Sequence, residues 1–141
     1  MIDWSQVITA DQKAAEIVEG ARQAARARLS AWLENAGVPE VPVRERASWG
    51  AKEAAAVAWL AKTATPDQAA MIETEAALTG ERARDLCAKI EQSARTFRHT
   101  AALAAGARRA LAAALAHSET VADCEAAAEA VISAAAALDR T

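Results

Sequence analysis

The chain is predicted to be all-α, an elongated bundle of about five helices ending in a long antiparallel helical hairpin. Three observations carry this. About three residues in ten are alanine; Gly and Pro number five and three in 141 residues; β-branched residues are few and scattered. Alanine is the best helix former, whereas a sheet wants branched and aromatic faces. Alanine adds little buried area, so five aromatics, Trp4, Trp32, Trp49, Trp59 and Phe97, stand out as space-fillers between helices. The length fits one domain.

The elements follow from their punctuation. Ile2 to Ile8 alternates apolar and polar residues and carries Trp4, a short extended peptide. Thr9-Ala10-Asp11-Gln12 reads as a capping box, which starts the first helix near Ala10. That helix runs to about Ala36 and stops at Gly37, the usual left-handed terminating residue. Its stripe Ala14, Val18, Ala21, Ala25, Leu29 (or Arg28), Trp32 and Ala36 keeps three- and four-residue spacing. Gly20 weakens it by roughly 1 kcal/mol relative to alanine.

Val38 to Pro42 is a rigid connector, because two prolines fix φ and block a helix through them. A second helix starts just after Pro42 and reaches about Lys62, with Gly50 a potential break. Thr65-Pro66-Asp67-Gln68 is another capping box, with proline at the favoured first helical position. The third helix ends near Thr79-Gly80. The fourth runs from near Glu81 to His117, roughly 54 Å, and the fifth from Ser118–Thr120 to about Asp139. Three segments are expected: a strap and docking helix over 1–38, a connector and helix start over 39–47, and a bundle body over 48–141.

Helices four and five carry near-heptad stripes. Leu86, Ile90, Ala94, Phe97, Ala101, Ala104, Arg108, Leu111 and Leu115 form one; Val121, Cys124, Ala128, Val131, Ala135 and Leu138 form the other. Charge separates the two helices. From Gln92 to Ser118 there are only basic charges, including Arg98, Arg108 and Arg109; from Glu119 to Asp139 only acidic ones, including Glu125 and Glu129. Folding back at Ser118 sets Arg108 and Arg109 near Glu125 and Glu129, and Arg98 near Asp139. These six are the expected helix-pairing charges. A phosphate-binding ridge is the competing reading of the arginines, but no aromatics interleave them.

Catalytic and metal chemistry have no foothold in this sequence. His99 and His117 lie too far apart along one helix to share a metal, and Cys87 is about 18 Å of helix from His99. Cys87 and Cys124 suggest no disulfide framework. Glu73 and Glu75 fall on different helix faces. There is no glycine-rich phosphate loop and no zinc-ligand spacing. The expectation is a non-enzyme with no catalytic residues, no metal and no cofactor. A net charge of −3 and pI near 5.4 argue against a nucleic-acid binder. Charges interrupt every apolar stretch before a membrane span is reached, and no signal-peptide pattern is seen, so synthesis in a cytoplasm is expected.

The N-terminal segment bears the candidate partner-binding residues Ile2, Trp4, Val7 and Ile8. It reads either as a strap over the protein's own bundle or as an adhesive tag for another protein, since buried aromatics dominate interface hot spots. Ile-Asp-Trp-Ser-x-Val-Ile-Thr-Ala-Asp-x-Lys at the start resembles small helical proteins of bacteriophage tail gene clusters, of the tail-fibre and fibre-assembly accessory type. The run Pro42-Val43-Arg44-Glu45-Arg46-Ala47-Ser48-Trp49, with Lys52-Glu53 and Trp59-Leu60-Ala61, is similar to a Pro-x-x-Glu-x-x-Ser-Trp pattern of those proteins. Asp85 to Ile90, through Phe97 to Arg109, is similar to their following helix. The resemblance spans about two thirds of the chain and carries no catalytic residues. It implies a non-enzymatic structural or accessory tail protein, located in the virion tail, with other tail proteins or fibre subunits as partners and homo-oligomerisation open. The alternative is a generic amphipathic helical adaptor, or an assembly chaperone not retained in the particle.

Overall fold

The computed structural model describes Trp4, residues 9–37 and residues 43–140, with side chains from 47 onward in the second stretch. The described residues form five helices and no strand: α1 (Ala10–Asn35), α2 (Val43–Leu60), α3 (Pro66–Thr79), α4 (Ala83–Ala116) and α5 (Val121–Asp139).

Local sequence sets most of the boundaries. Thr9 accepts the Gln12 N–H at 3.1 Å, and the Gln12 side chain accepts the Thr9 N–H at 2.9 Å. Thr65 with Gln68 and Thr120 with Asp123 repeat this reciprocal pairing, with Pro66 opening α3. Each box satisfies N–H groups that a helix start otherwise leaves orphaned. Gly37 and Gly80 follow α1 and α3 at φ 76° and 75°, where a Cβ would be strained. Gly50 does not break α2.

The end of α2 has no glycine. Lys62 takes the left-handed conformation at φ 61°. The Thr63 N–H donates to Ala58 O at 2.8 Å and the Lys62 N–H to Trp59 O at 3.1 Å. This is a Schellman closure built on a lysine, a conformation that disfavours any residue with a Cβ.

Contacts divide the chain into two compact units, residues 1–38 with 101–141, and residues 39–100. The break at 38/39 falls where the prolines stand. The expected body over 48–141 is corrected: α1 is not a separate docking helix but shares a core with the second half of α4 and with α5. That core holds Ala25, Leu29 and Leu33 of α1, Leu103, Ala104, Ala107, Leu111 and Leu115 of α4, and Cys124, Ala128 and Ala135 of α5. The hydrophobic effect is non-directional and does not respect sequence order, so the largest apolar stripe of α1 closes the groove of the α4–α5 hairpin.

The stripes are slightly rotated from expectation. Leu33 is buried while Trp32 is half-buried; Ala107 replaces the exposed Arg108 in α4; and Val121 and Leu138 at the two ends of α5 are exposed. The second unit has its own core of Ala55, Ala56, Ile72, Ala76, Leu86 and Cys87, with Trp59, Leu60, Ala83 and Ile90 packed against it. Trp49 meets Phe97 edge-on, ring centroids 4.7 Å apart, a favoured aromatic geometry.

Candidate functional site

In the first unit, α1 lies parallel to α5: Ile17 and Val121 flank one end of their shared groove, while Arg28 pairs with Glu129 further along. The groove encloses about 860 Å³, and Gly20, Ala21, Ala24, Ala122 and Ala126 line it. It is wide open because alanines on both helices leave the seam unfilled. Ile17 is 60% exposed beside it.

Trp4 is the other notable surface group, at 74% exposure. A tryptophan contributes one of the largest apolar areas of any side chain, and this one is not covered by the described residues. The remaining candidate partner-binding residues, Ile2, Val7 and Ile8, lie outside the described residues.

The expected helix-pairing charges find other partners. Arg98 pairs with Glu53, not Asp139. Glu129 pairs with Arg28 of α1, not with Arg108 or Arg109. Those two arginines, Glu125 and Asp139 are exposed, and among the described residues none of them lies within ion-pair distance of an opposite charge. α1, and not α4, supplies the cation that pairs with Glu129 of α5. The Arg108–Arg109 pair faces away because Ala104, Ala107, Leu111 and Leu115 occupy the core side of α4.

Sequence reasoning missed the most connected arginine. Arg22 donates from Nη2 to Ser118 O at 2.9 Å and from Nε to Leu115 O at 3.3 Å. Ser118 is buried and donates from Oγ to Ala114 O at 2.9 Å. Together they add second donors to Leu115 O and Ala114 O, which already accept the Ser118 and His117 N–H groups, and a donor to Ser118 O in the turn, where a cation also opposes the negative end of the helix dipole. The only available signal was a basic residue on the edge of an apolar stripe.

The potential chemical groups are dispersed. His99 and His117 are exposed. Cys87 and Cys124 are fully buried free thiols in the two different cores. Burial, and then the Glu91 charge, push the Cys87 thiol above its ordinary value, which disfavours the reactive thiolate. Among the described residues no three His, Cys, Asp or Glu side chains converge as a metal site. A cleft of about 280 Å³ in the second unit is bordered by Trp49, Ser93, Lys52 and Glu75, but the last two neutralise each other at 2.7 Å. No helix of the described residues is long and apolar enough to cross a membrane.

Comparison with protein-family models, curated proteins and solved structures finds no match for this chain.

Proposed function

We propose that this chain is a non-enzymatic structural or accessory protein of a bacteriophage-type tail, acting through protein–protein contacts made by its N-terminal segment. The exposed Trp4 carries the reading. A large aromatic this exposed, five residues before a doubly bonded helix cap in sequence, is a candidate anchor that the described residues do not cover. The tail setting draws on the resemblance of the N-terminal stretch, the Ser48-Trp49 region and α4 to helical tail proteins. A helical adaptor or chaperone that leaves the particle is the second reading, and the open α1/α5 groove favours it.

Mass spectrometry of purified tail particles, alongside assembly intermediates, separates these. Presence at fixed stoichiometry in finished tails marks a permanent component, and presence in intermediates alone marks an assembly helper. Absence from both overturns the tail assignment.

A further inference from the structure

We propose that a cavity in the second unit, where the end of α2, the start of α3 and the start of α4 meet, binds a small aromatic carboxylate. The site lies within one compact unit and stands apart from Trp4 and the tail assignment.

The cavity measures about 660 Å³, inside the range of roughly 300–1,000 Å³ usual for small-molecule sites. Its lining has two characters. Trp59, Leu60, Ala64 and Ala69 are half-buried and form an apolar wall, with Trp59 and Leu60 packed against the second core. Lys62 and Arg84 are exposed at the same cavity, and no carboxylate of the described residues lines it.

Both cations are unmatched. Among the described residues neither side chain has a carboxylate within ion-pair distance, and neither stacks on a ring. The other charges of these helices are largely paired: Lys52 with Glu75, Glu53 with Arg98, Arg82 with Asp85, Lys89 with Glu81 and Arg95 with Glu91. Asp67 and Glu73 of α3 are exposed carboxylates, and neither borders the cavity.

The backbone marks Lys62 independently. Its φ of 61° is one that glycine adopts freely and a residue with a Cβ resists. Strain of this kind gathers at ligand sites, where the surrounding structure holds a side chain in place. Here the Lys62 N–H donates to Trp59 O and the Thr63 N–H to Ala58 O, fixing the backbone from which the ammonium borders the cavity. The turn thus carries a cation where closing the helix needs no side chain at all.

An aromatic carboxylate uses both halves of the site. Its ring lies against the Trp59 indole and Leu60, and its carboxylate accepts from the Arg84 guanidinium and the Lys62 ammonium. A bare anion would leave the apolar wall wet, and a neutral ring would leave both cations unanswered.

Isothermal titration of the full chain with 2-naphthoate tests this, with acetate and 2-naphthamide each keeping one half of the ligand. Lys62→Gly and Arg84→Gln are the variants, and Arg108→Gln, an exposed arginine of the other unit, is the control. Glycine suits the left-handed backbone and glutamine suits the helix, so both variants fold, which circular dichroism checks. The expected result is one saturable site for 2-naphthoate, weakened about tenfold by either variant and unchanged by the control, with acetate and 2-naphthamide bound at least about tenfold more weakly. Absence of saturable 2-naphthoate binding overturns the proposal. Binding that both variants leave unmoved, or that 2-naphthamide or acetate matches, overturns it equally, because the ligand would then not join these cations to this apolar wall.

Discussion

The guanidinium of Arg22 and the backbone carbonyl of Ser118, 96 residues apart in sequence, meet at 2.9 Å and tie α1 to the turn between α4 and α5. This one side chain links the sequence-distant first helix to the hairpin whose orientation defines the first unit. Arg22 also lies 3.3 Å from Glu19, which holds the guanidinium in place on α1.

Replacing Arg22 with alanine is expected to cost about 1–2 kcal/mol. Charged hydrogen bonds of this kind are worth about 1.5–3 kcal/mol when desolvated, and Arg22 is partly solvated. Urea unfolding measures the loss, and amide exchange at His117 and Ser118 should speed up more than at mid-helix positions. Unchanged exchange there would remove Arg22 from the capping role.

Much of this fold was legible because its cues are local. The Thr9 and Thr65 boxes and the Gly37 and Gly80 stops are written within four residues of where they act, and all appear as read. Helix partnership is non-local. The contacts of Arg22 with Leu115 and of Arg28 with Glu129 span 93 and 101 residues, and no spacing within α1 announces them. Charge matching between adjacent helices failed at Arg98 and Glu129 because a third helix, and α2 for Arg98, offered closer partners. Lys62 was illegible for a different reason: a left-handed stop without glycine leaves no compositional mark. Of the candidate site, Trp4 could be singled out from the sequence, whereas the groove needed the parallel placement of α1 and α5.

The lysine stop of α2 predicts a stabilising substitution. Lys62→Gly should raise stability by up to about 1 kcal/mol, the left-handed penalty offset in part by glycine's chain entropy. Lys62→Val should lower it. Thermal melts of both variants check the sign, and a destabilising glycine would show that the Lys62 side chain makes a contribution larger than its backbone strain.

Core and surface of the second unit should respond differently to the same loss of volume. Ile72 is fully buried, so Ile72→Ala is expected to cost about 2–5 kcal/mol. Leu78 is 85% exposed on the same helix, and Leu78→Ala should change stability by no more than about 0.5 kcal/mol. Equal costs for the two would mean that α3 presents a different face.

Asp123 gives the start of α5 an acid sensitivity. The Glu119 N–H donates to its carboxylate at 3.1 Å and the Thr120 N–H at 3.2 Å, while its own N–H donates to the Thr120 hydroxyl. The Glu119 contact first, then those of Thr120, hold its pKa below the ordinary aspartate value. A carboxyl depressed on folding contributes stability that is present above its unfolded pKa, near 4, and lost as pH falls through the lower folded value. Asp123→Asn should therefore reduce the fall in melting temperature measured between about pH 5 and pH 2. An identical acid profile in the variant would rule out Asp123 as a contributor.

The central claim, that the protein acts through an exposed N-terminal aromatic rather than by chemistry of its own, is tested most directly by Trp4→Ala, scored at once for melting temperature and for incorporation into tail particles. The account predicts a melting temperature within about 3 °C of the unmodified protein, with incorporation lost. A sharp drop in melting temperature would place Trp4 in the protein's own core, and full incorporation of the variant would show that the anchor lies elsewhere.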